Sequence, residues 1–345
     1  MASLGKLQNS LIDQMVSALT AAPAGVPAAK VNPNAFLLNP LWPEADWNIS
    51  GAFGYDQLLF RFRDFFVKDF QTSLYARVSG APPCRWNGER YAAGGLMPPQ
   101  EVAKIVQGYT TNSIAVQATF TTVGLTKASL ADPLGNAVLG MLDQSNMSGR
   151  NGVVVSEDVL ARHVRNEHPG LKLIASEIKT AKEGGRDRAG HYRRLAEAYD
   201  LVTIHPEDNL DTALLESLED KGRYEIIVND PCWRGCSVRP AHDQLLSAIA
   251  QDPQNFETRE RERSLIQEAG CNNLRDQLFN PARRPLCLSS EELRRLYGMG
   301  YRHFRMLPVA GNPPYLFQFE LAKWLLNHDP DFDYIPTRVM QAAFV

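Results

Sequence analysis

From Leu74 onward the chain repeats one pattern. A short apolar and β-branched run is followed by a glycine, proline or polar turn, then by a longer stretch with apolar positions at helical spacing. The extended runs are SLYARVS (73–79), SIAVQATF (113–120), GVVVS (152–156), LKLIAS (171–176), LVTIH (201–205), RYEIIVN (223–229), PLCLS (285–289) and YRHFRML (301–307). The helical stretches are EVAKIVQGY, DPLGNAVLGMLDQ, SEDVLARHVRNE, HYRRLAEAY, TALLESLED, HDQLLSAIAQ, SSEELRRLYGMG and FQFELAKWLLN. Strand and helix in strict alternation predict parallel strands joined by crossover helices, and eight of each fit a closed (β/α)8 barrel of the TIM type over 73–327. Ser156 ahead of Glu157 and Asp158, and Ser289 and Ser290 ahead of Glu291 and Glu292, put hydroxyls and acids at predicted helix starts. An open doubly wound sheet is the rival architecture. It normally carries a glycine-rich phosphate loop after its first strand, and Ser79-Gly80-Ala81-Pro82-Pro83 is not one.

The flanks break the pattern. Residues 1–72 read as an N-terminal extension: a helical stretch with Leu7, Leu11, Met15 and Leu19 on one face, then a proline- and alanine-rich connector. That apolar face needs a partner, either the barrel itself or another subunit. Residues 328–345 read as a C-terminal tail.

Composition adds bounds. The chain has 345 residues, 44% apolar and 22% charged, with a net charge of −3, enough for one large core. With no basic excess, nucleic acid is not the favoured partner. No run of eighteen apolar residues occurs, so no membrane partner is expected. The first 29 residues lack the central apolar run of a secretion signal, and a cytoplasmic location is the expectation. Five cysteines in such a chain point to metal ligation or burial before disulfides.

In a barrel, residues just after each strand share the C-terminal rim, where barrel active sites are built. Cys232 and Cys236 form a CxxxC loop after the sixth predicted strand. Cys271 lies in the long connection 251–284, and Cys287 lies in the seventh predicted strand. Thiolates at these four positions suit an iron–sulfur cluster or, alternatively, zinc. CxxxC is less typical of structural zinc than CxxC, which tilts the expectation to a cluster, with Cys84 as a spare. Buried cysteine acting as a small apolar side chain is the competing account, above all for Cys287.

His205 and Glu207 are acid/base candidates, since histidine titrates near neutrality and a neighbouring carboxylate orients it and raises its pKa. A pair that merely holds the loop is the alternative. Arg85, Arg90 and Arg239 can form a carboxylate or phosphate clamp, with Asn87 and Asn229 as further substrate-binding groups. His242, six residues past Cys236, suits a ligand, a proton donor or a helix start. ETRERERSLIQE reads as a solvated helix.

NDPCWRGCSVRPAH after a strand, with GYRHFRM late in the barrel, resembles the collagenase-like peptidase (U32) family over roughly 73–327. The resemblance implies a (β/α)8 barrel that in several members holds a 4Fe-4S cluster on four cysteines. Some relatives support oxygen-independent hydroxylation of ubiquinone precursors or RNA bases. Cys232 and Cys236 match the paired cysteines of that family, Cys271 is the third, and Cys287 matches less well. The long extension and the missing C-terminal accessory domain mark a divergent member.

Two functions follow. One is a cluster-dependent enzyme for a small anionic or aromatic metabolite or a base. The other is a degenerate barrel serving a larger assembly or homo-oligomer through residues 1–72. The enzyme reading expects the rim residues to face one cavity beside the cysteines.

Overall fold

The computed structural model describes residues 38–70, 73–89, 97–146, 148–182, 187–271, 285–308 and 314–327. The expected Leu7 to Leu19 helix, the tail 328–345 and Arg90 lie outside these.

The barrel strands are β1 (Asp46–Ser50), β2 (Arg77–Gly80), β3 (Ala115–Phe120), β4 (Gly152–Val155), β5 (Lys172–Ala175), β6 (Leu201–Thr203) and β7 (Tyr224–Ile227). A two-stranded ribbon follows, β8 (Asn229–Trp233) and β9 (Pro285–Cys287), and then the last barrel strand, β10 (His303–Met306). All eight barrel strands are parallel and close in the order β1, β10, β7, β6, β5, β4, β3, β2. The (β/α)8 barrel expected from the alternating pattern is therefore present.

Two strand assignments change. PLCLS is not a barrel strand, because β9 pairs antiparallel with β8 in a separate ribbon. Its place in the wall is taken by β1, DWNIS, inside the segment read as an extension, so the barrel begins near residue 46 and not at 73.

The outer layer comprises α1 (Asp56–Phe70), α2 (Pro99–Thr110), α3 (Pro133–Gln144), α4 (Asp158–Glu167), α5 (Glu177–Lys182), α6 (Arg188–Ala198) and α7 (Thr212–Ser217). Next come α8 (Arg239–Gln251) and α9 (Phe256–Glu268), then α10 (Ser290–Gly298) and α11 (Pro314–Leu325). Ser289 caps α10 in a reciprocal box with Glu292. Ser156 does not cap α4. Its hydroxyl meets that of Ser176 at 2.7 Å instead, joining the ends of β4 and β5.

Strand alternation sends two sets of side chains to two places. Ile49, Val78, Val116, Phe120, Val153, Leu173, Val202, Ile226, Phe304 and Met306 point outward and join one large core with the helices. The inward set is mostly polar: Asn48, Ser50, Arg77, Ser79, Gln117, Thr119, Thr203, Glu225 and Arg305 are all buried. Only a small apolar cluster, Val154, Ile174 and Leu201, stands apart from the main core. Branched apolar side chains usually fill such an interior, so this one is filled with charge where packing alone would have served.

Candidate functional site at the barrel mouth

Inside the wall, Glu225 on β7 is fully buried and collects donors from across the barrel. Its Oε1 faces Arg77 Nη1 at 3.3 Å and accepts from Asn48 Nδ2 at 3.1 Å, while its Oε2 faces Arg305 Nη2 at 2.7 Å. Burial alone would raise this carboxyl, but Arg305 and Arg77 outweigh it and hold the pKa below the ordinary value. Toward the N-terminal end, Asp46 takes Arg77 Nε at 3.1 Å and meets His303 Nδ1 at 3.2 Å. Burial pushes the Asp46 pKa up, yet His303 and Arg77 together hold it at about 2.

Toward the C-terminal mouth, four neighbouring strands end in polar residues. Glu177 follows β5, His205 follows β6, Asn229 and Asp230 follow β7, and Arg305 lies on β10. Arg305 is 1% exposed and its Nη1 lies 3.9 Å from Glu177 Oε2. Desolvation lowers its pKa, but Glu225 and Glu177 more than offset that and keep the guanidinium charged. Asn229 ties β7 to β10 by donating from Nδ2 to Leu307 O and accepting the Leu307 N–H at 2.7 Å.

His205 is buried and caps a 3₁₀ turn, Pro206–Leu210, by accepting the Glu207 N–H on Nδ1 at 3.3 Å. That bond assigns the proton of the neutral ring to Nε2. Burial first, and then the nearby Arg239 charge, push its pKa down to about 4, so the imidazole is uncharged at neutral pH. Sequence reasoning expected the Glu207 carboxylate to raise that pKa. The carboxylate is turned away: Glu207 Oε1 accepts the Gly235 N–H at 2.6 Å, and Oε2 faces Arg234 at 3.6 Å. Glu207 thus clamps the tip of the CxxxC loop, where Gly235 adopts φ +67, a conformation glycine takes without strain.

The stem of that loop is held by Asp230, 2% exposed, whose Oδ1 accepts the Cys232 N–H and whose Oδ2 accepts from Arg239 Nη2 at 2.8 Å. The β8–β9 register shifts between Asp230 and Trp233, the stretch that holds Pro231, which has no N–H to lose, and Cys232. Cys287 stands opposite Asn229, and its thiol reaches Asp230 O at 3.5 Å. Burial pushes the Cys287 pKa up to about 12, so it is held as a thiol, and burial likewise raises that of Cys84. Cys232 and Cys236 are partly exposed, and Cys271 closes α9. Among the described residues, no group of three or more His, Cys, Asp or Glu side chains is placed to hold a metal ion.

The segment HDQLLSAIAQ, read as an ordinary crossover helix, does something else. Helix α8 starts beside Asp230, receives the Val123 N–H on Ser247 Oγ at 3.0 Å, and reaches Arg85 O with Gln251 Nε2 at 2.6 Å. Val123 and Arg85 follow β3 and β2, which lie across the ring from β7. A helix of this length spans about 20 Å, so α8 runs as a crossbar over the mouth. His242 Nε2 meets Glu262 Oε1 at 3.0 Å and ties α8 to α9, which has no buried residue. His242 is therefore a hairpin contact, and α9 is the solvated helix its sequence suggested.

Among the described residues, Arg85 and Arg239 do not come together as the expected clamp. Arg239 is committed to Asp230, the Arg85 side chain is exposed, and Asn87 is used inside its own loop through Pro82 O and the Glu89 N–H. His205, Glu207, Asn229 and Arg239 do share one sector with Cys232 and Cys236. Arg85 and Asn87 sit across the mouth from them. Sequence reasoning missed Arg305, Glu225, Glu177 and Arg77. The signal was charge at inward positions of otherwise apolar strands. A groove of about 500 Å³ between α1 and α2, lined by Asp56, Phe60, Glu101 and Lys104 among others, lies on the outer layer.

Among the described residues no helix is long and apolar enough to cross a membrane. No protein-family model matches the chain, and no curated protein matches it. Among solved structures, that of the U32 peptidase Mk0906 is similar, with a TM-score of 0.48 and 15% identity over 85% of this chain and 99% of that one. The barrel assignment rests on the closed eight-strand sheet itself.

Proposed function

We propose that the chain is a barrel enzyme of the U32-like type, working on a small molecule at the C-terminal mouth beneath α8. The family part rests on the motifs NDPCWRGCSVRPAH and GYRHFRM. The enzyme part rests on one observation: the arc Glu177, His205, Asp230, Arg239 and Arg305 places the buried charges of Asp230 and Arg305, the half-buried ones of Glu177 and Arg239 and a neutral imidazole at the rim. Buried charges are costly unless they are paired, and such perturbed groups cluster at functional sites. In this arc His205 supplies a neutral imidazole whose Nε2–H is a hydrogen-bond donor, and Asp230 with Arg239 fixes the loop beside it.

The expectation of a small anionic or aromatic substrate stands as part of this proposal. The iron–sulfur cluster, or zinc, is the second reading. It is favoured by the partly exposed Cys232 and Cys236. No chemical step is assigned to it.

The test is to purify the full chain anaerobically, assay iron, sulfide and zinc, and incubate it with a small-metabolite extract followed by mass spectrometry. The expected result is consumption of one or more compounds, lost in His205→Ala and Arg239→Ala variants that keep their circular dichroism. An extract left unchanged, aerobically and with added reductant, would overturn the enzyme reading in favour of an assembly barrel. Stoichiometric iron and sulfide lost in Cys232→Ala would establish the cluster.

A further inference from the structure

We infer that the barrel mouth holds a site for a small zwitterion, its carboxylate on Arg305 and its ammonium group on Glu177, with the hydroxyls of Thr119 and Thr121 beside them. This rests on the reading that the substrate enters at the C-terminal rim, and it names the class.

The polar groups of the interior are satisfied unevenly. Glu225 has a partner for each oxygen, whereas Arg305 Nε and Nη2 have no aligned hydrogen-bond acceptor, although Nη2 lies close to Glu225. The Nε–H and Nη2–H of a guanidinium share one edge, the fork on which a carboxylate binds with both oxygens. Glu177 Oε2 is buried and accepts no hydrogen bond, and its 3.9 Å separation from Arg305 Nη1 is too long for one. The Glu177 side chain keeps 16% exposure, which gives this pair access from outside.

Thr119 and Thr121 are fully buried with unbonded hydroxyls. Thr119 is the next inward position after Gln117 on β3, three strands around the wall from β10 in one direction, and β5, which leads into Glu177, is two strands away in the other. Orphaned buried polar atoms of this kind are uncommon in native proteins. Among the described residues they also include Asn48 Oδ1 and Asn209 Oδ1, but Thr119, Thr121, Glu177 and Arg305 are the ones that lie on or just after barrel strands toward the mouth.

Charge selects the class. Arg77 and Arg305 face three carboxylates, Asp46, Glu177 and Glu225, so a simple anion would add to an excess of negative charge. A simple amine would leave the Arg305 Nε–H without an acceptor. A molecule carrying both groups answers Arg305 and Glu177 together without changing the net charge.

The test uses the full chain with free α-amino acids of differing side chains, each compared with the matching carboxylic acid lacking the amine and the matching amine lacking the carboxylate. Thermal shift and calorimetry are the readouts. At least one amino acid should raise the melting temperature by several degrees and bind one to one. Its two truncated analogues should give no shift at about tenfold higher concentration, since each leaves one buried hydrogen-bonding atom, Arg305 Nε or Glu177 Oε2, unsatisfied. Glu177→Gln should weaken binding at least about tenfold. Thr119→Val should weaken it while leaving the unliganded melting temperature in place, which separates binding from folding. The inference fails if no amino acid binds, if a carboxylate alone binds equally well, or if Glu177→Gln binds as the parent does. Consumption of a non-zwitterionic metabolite in the turnover assay would also overturn it, while leaving the enzyme reading intact.

Discussion

The two ends of the barrel interior are built from the same kinds of residue and behave differently. At the N-terminal end, Asp46, Arg77, His303 and Glu225 interlock so that each charge faces an opposite one, and Asn48 links them to Gln117 at 2.9 Å. At the mouth, Arg305, Glu177, Thr119 and Thr121 leave atoms without hydrogen-bond partners. Both ends lose hydration on folding; the first recovers it in paired charges and leaves only Asn48 Oδ1 without a partner, whereas at the mouth the orphaned atoms include those of Glu177 and Arg305. The first end reads as structure and the second as a surface prepared for something else.

The sharpest way to break this comparison is to truncate one carboxylate at each end. Glu225→Ala removes the carboxylate shared by two buried guanidinium groups, leaving Arg77 only Asp46 and Arg305 only the long contact to Glu177, and should cost about 3–5 kcal/mol, the range for uncoupling a buried pair. Glu177→Ala, losing only a long contact to Arg305, should cost less than about 1 kcal/mol. Urea unfolding midpoints decide it, and equal losses would erase the distinction between the ends.

Acid provides the next test. The Asp46 carboxyl sits at about 2 when folded and near its ordinary 3.8 when unfolded, so its stabilisation is complete above roughly pH 4 and is lost as pH falls through 2. Because the side chain is 27% exposed, the expected size is about 1–2 kcal/mol. The stability gap between the parent and Asp46→Asn should shrink over that window. A gap independent of pH would mean the network is held by shape and not by charge.

The smallest effect comes from two threonines. Thr203 Oγ1 reaches Glu225 Oε2 at 3.5 Å, while Thr119 Oγ1 has no partner. Thr203→Val should cost about 1 kcal/mol, and Thr119→Val should stay within about 0.5 kcal/mol of the parent or gain stability. Reversal of that order, measured by chemical unfolding, would place the satisfied end of the barrel at the mouth.

Seven of the eight barrel strands were legible because parallel strands flanked by helices carry apolar residues on their outward face, and Val153, Val155, Leu173 and Ile226 announce them. DWNIS escaped because its inward residues are Asn48 and Ser50 and its outward ones only Trp47 and Ile49, a short alternation next to a proline-rich stretch. PLCLS misled for the opposite reason: a local apolar run does not tell parallel pairing in the wall from antiparallel pairing above it. The rim sector around Cys232 was found from its loop position. Arg77, Glu225 and Arg305 were in view inside their strand segments, but which face each occupies depends on register, which requires the closed sheet. Glu207 and His242 were chosen by residue type, and their partners, Gly235 and Glu262, lie 28 and 20 residues away along the chain.

The crossbar has a consequence for what can reach the interior. An α-helix with its side chains is about 10 Å wide, and α8 lies across the mouth from Asp230 to the loops that carry Val123 and Arg85. Anything bound beneath it must pass along a flank of the helix, a route that suits a small molecule and not a folded protein or a nucleic-acid duplex. The residence time of anything inside would then depend on how readily α8 lifts, and α8 has a single buried residue, Ser247, to hold it down.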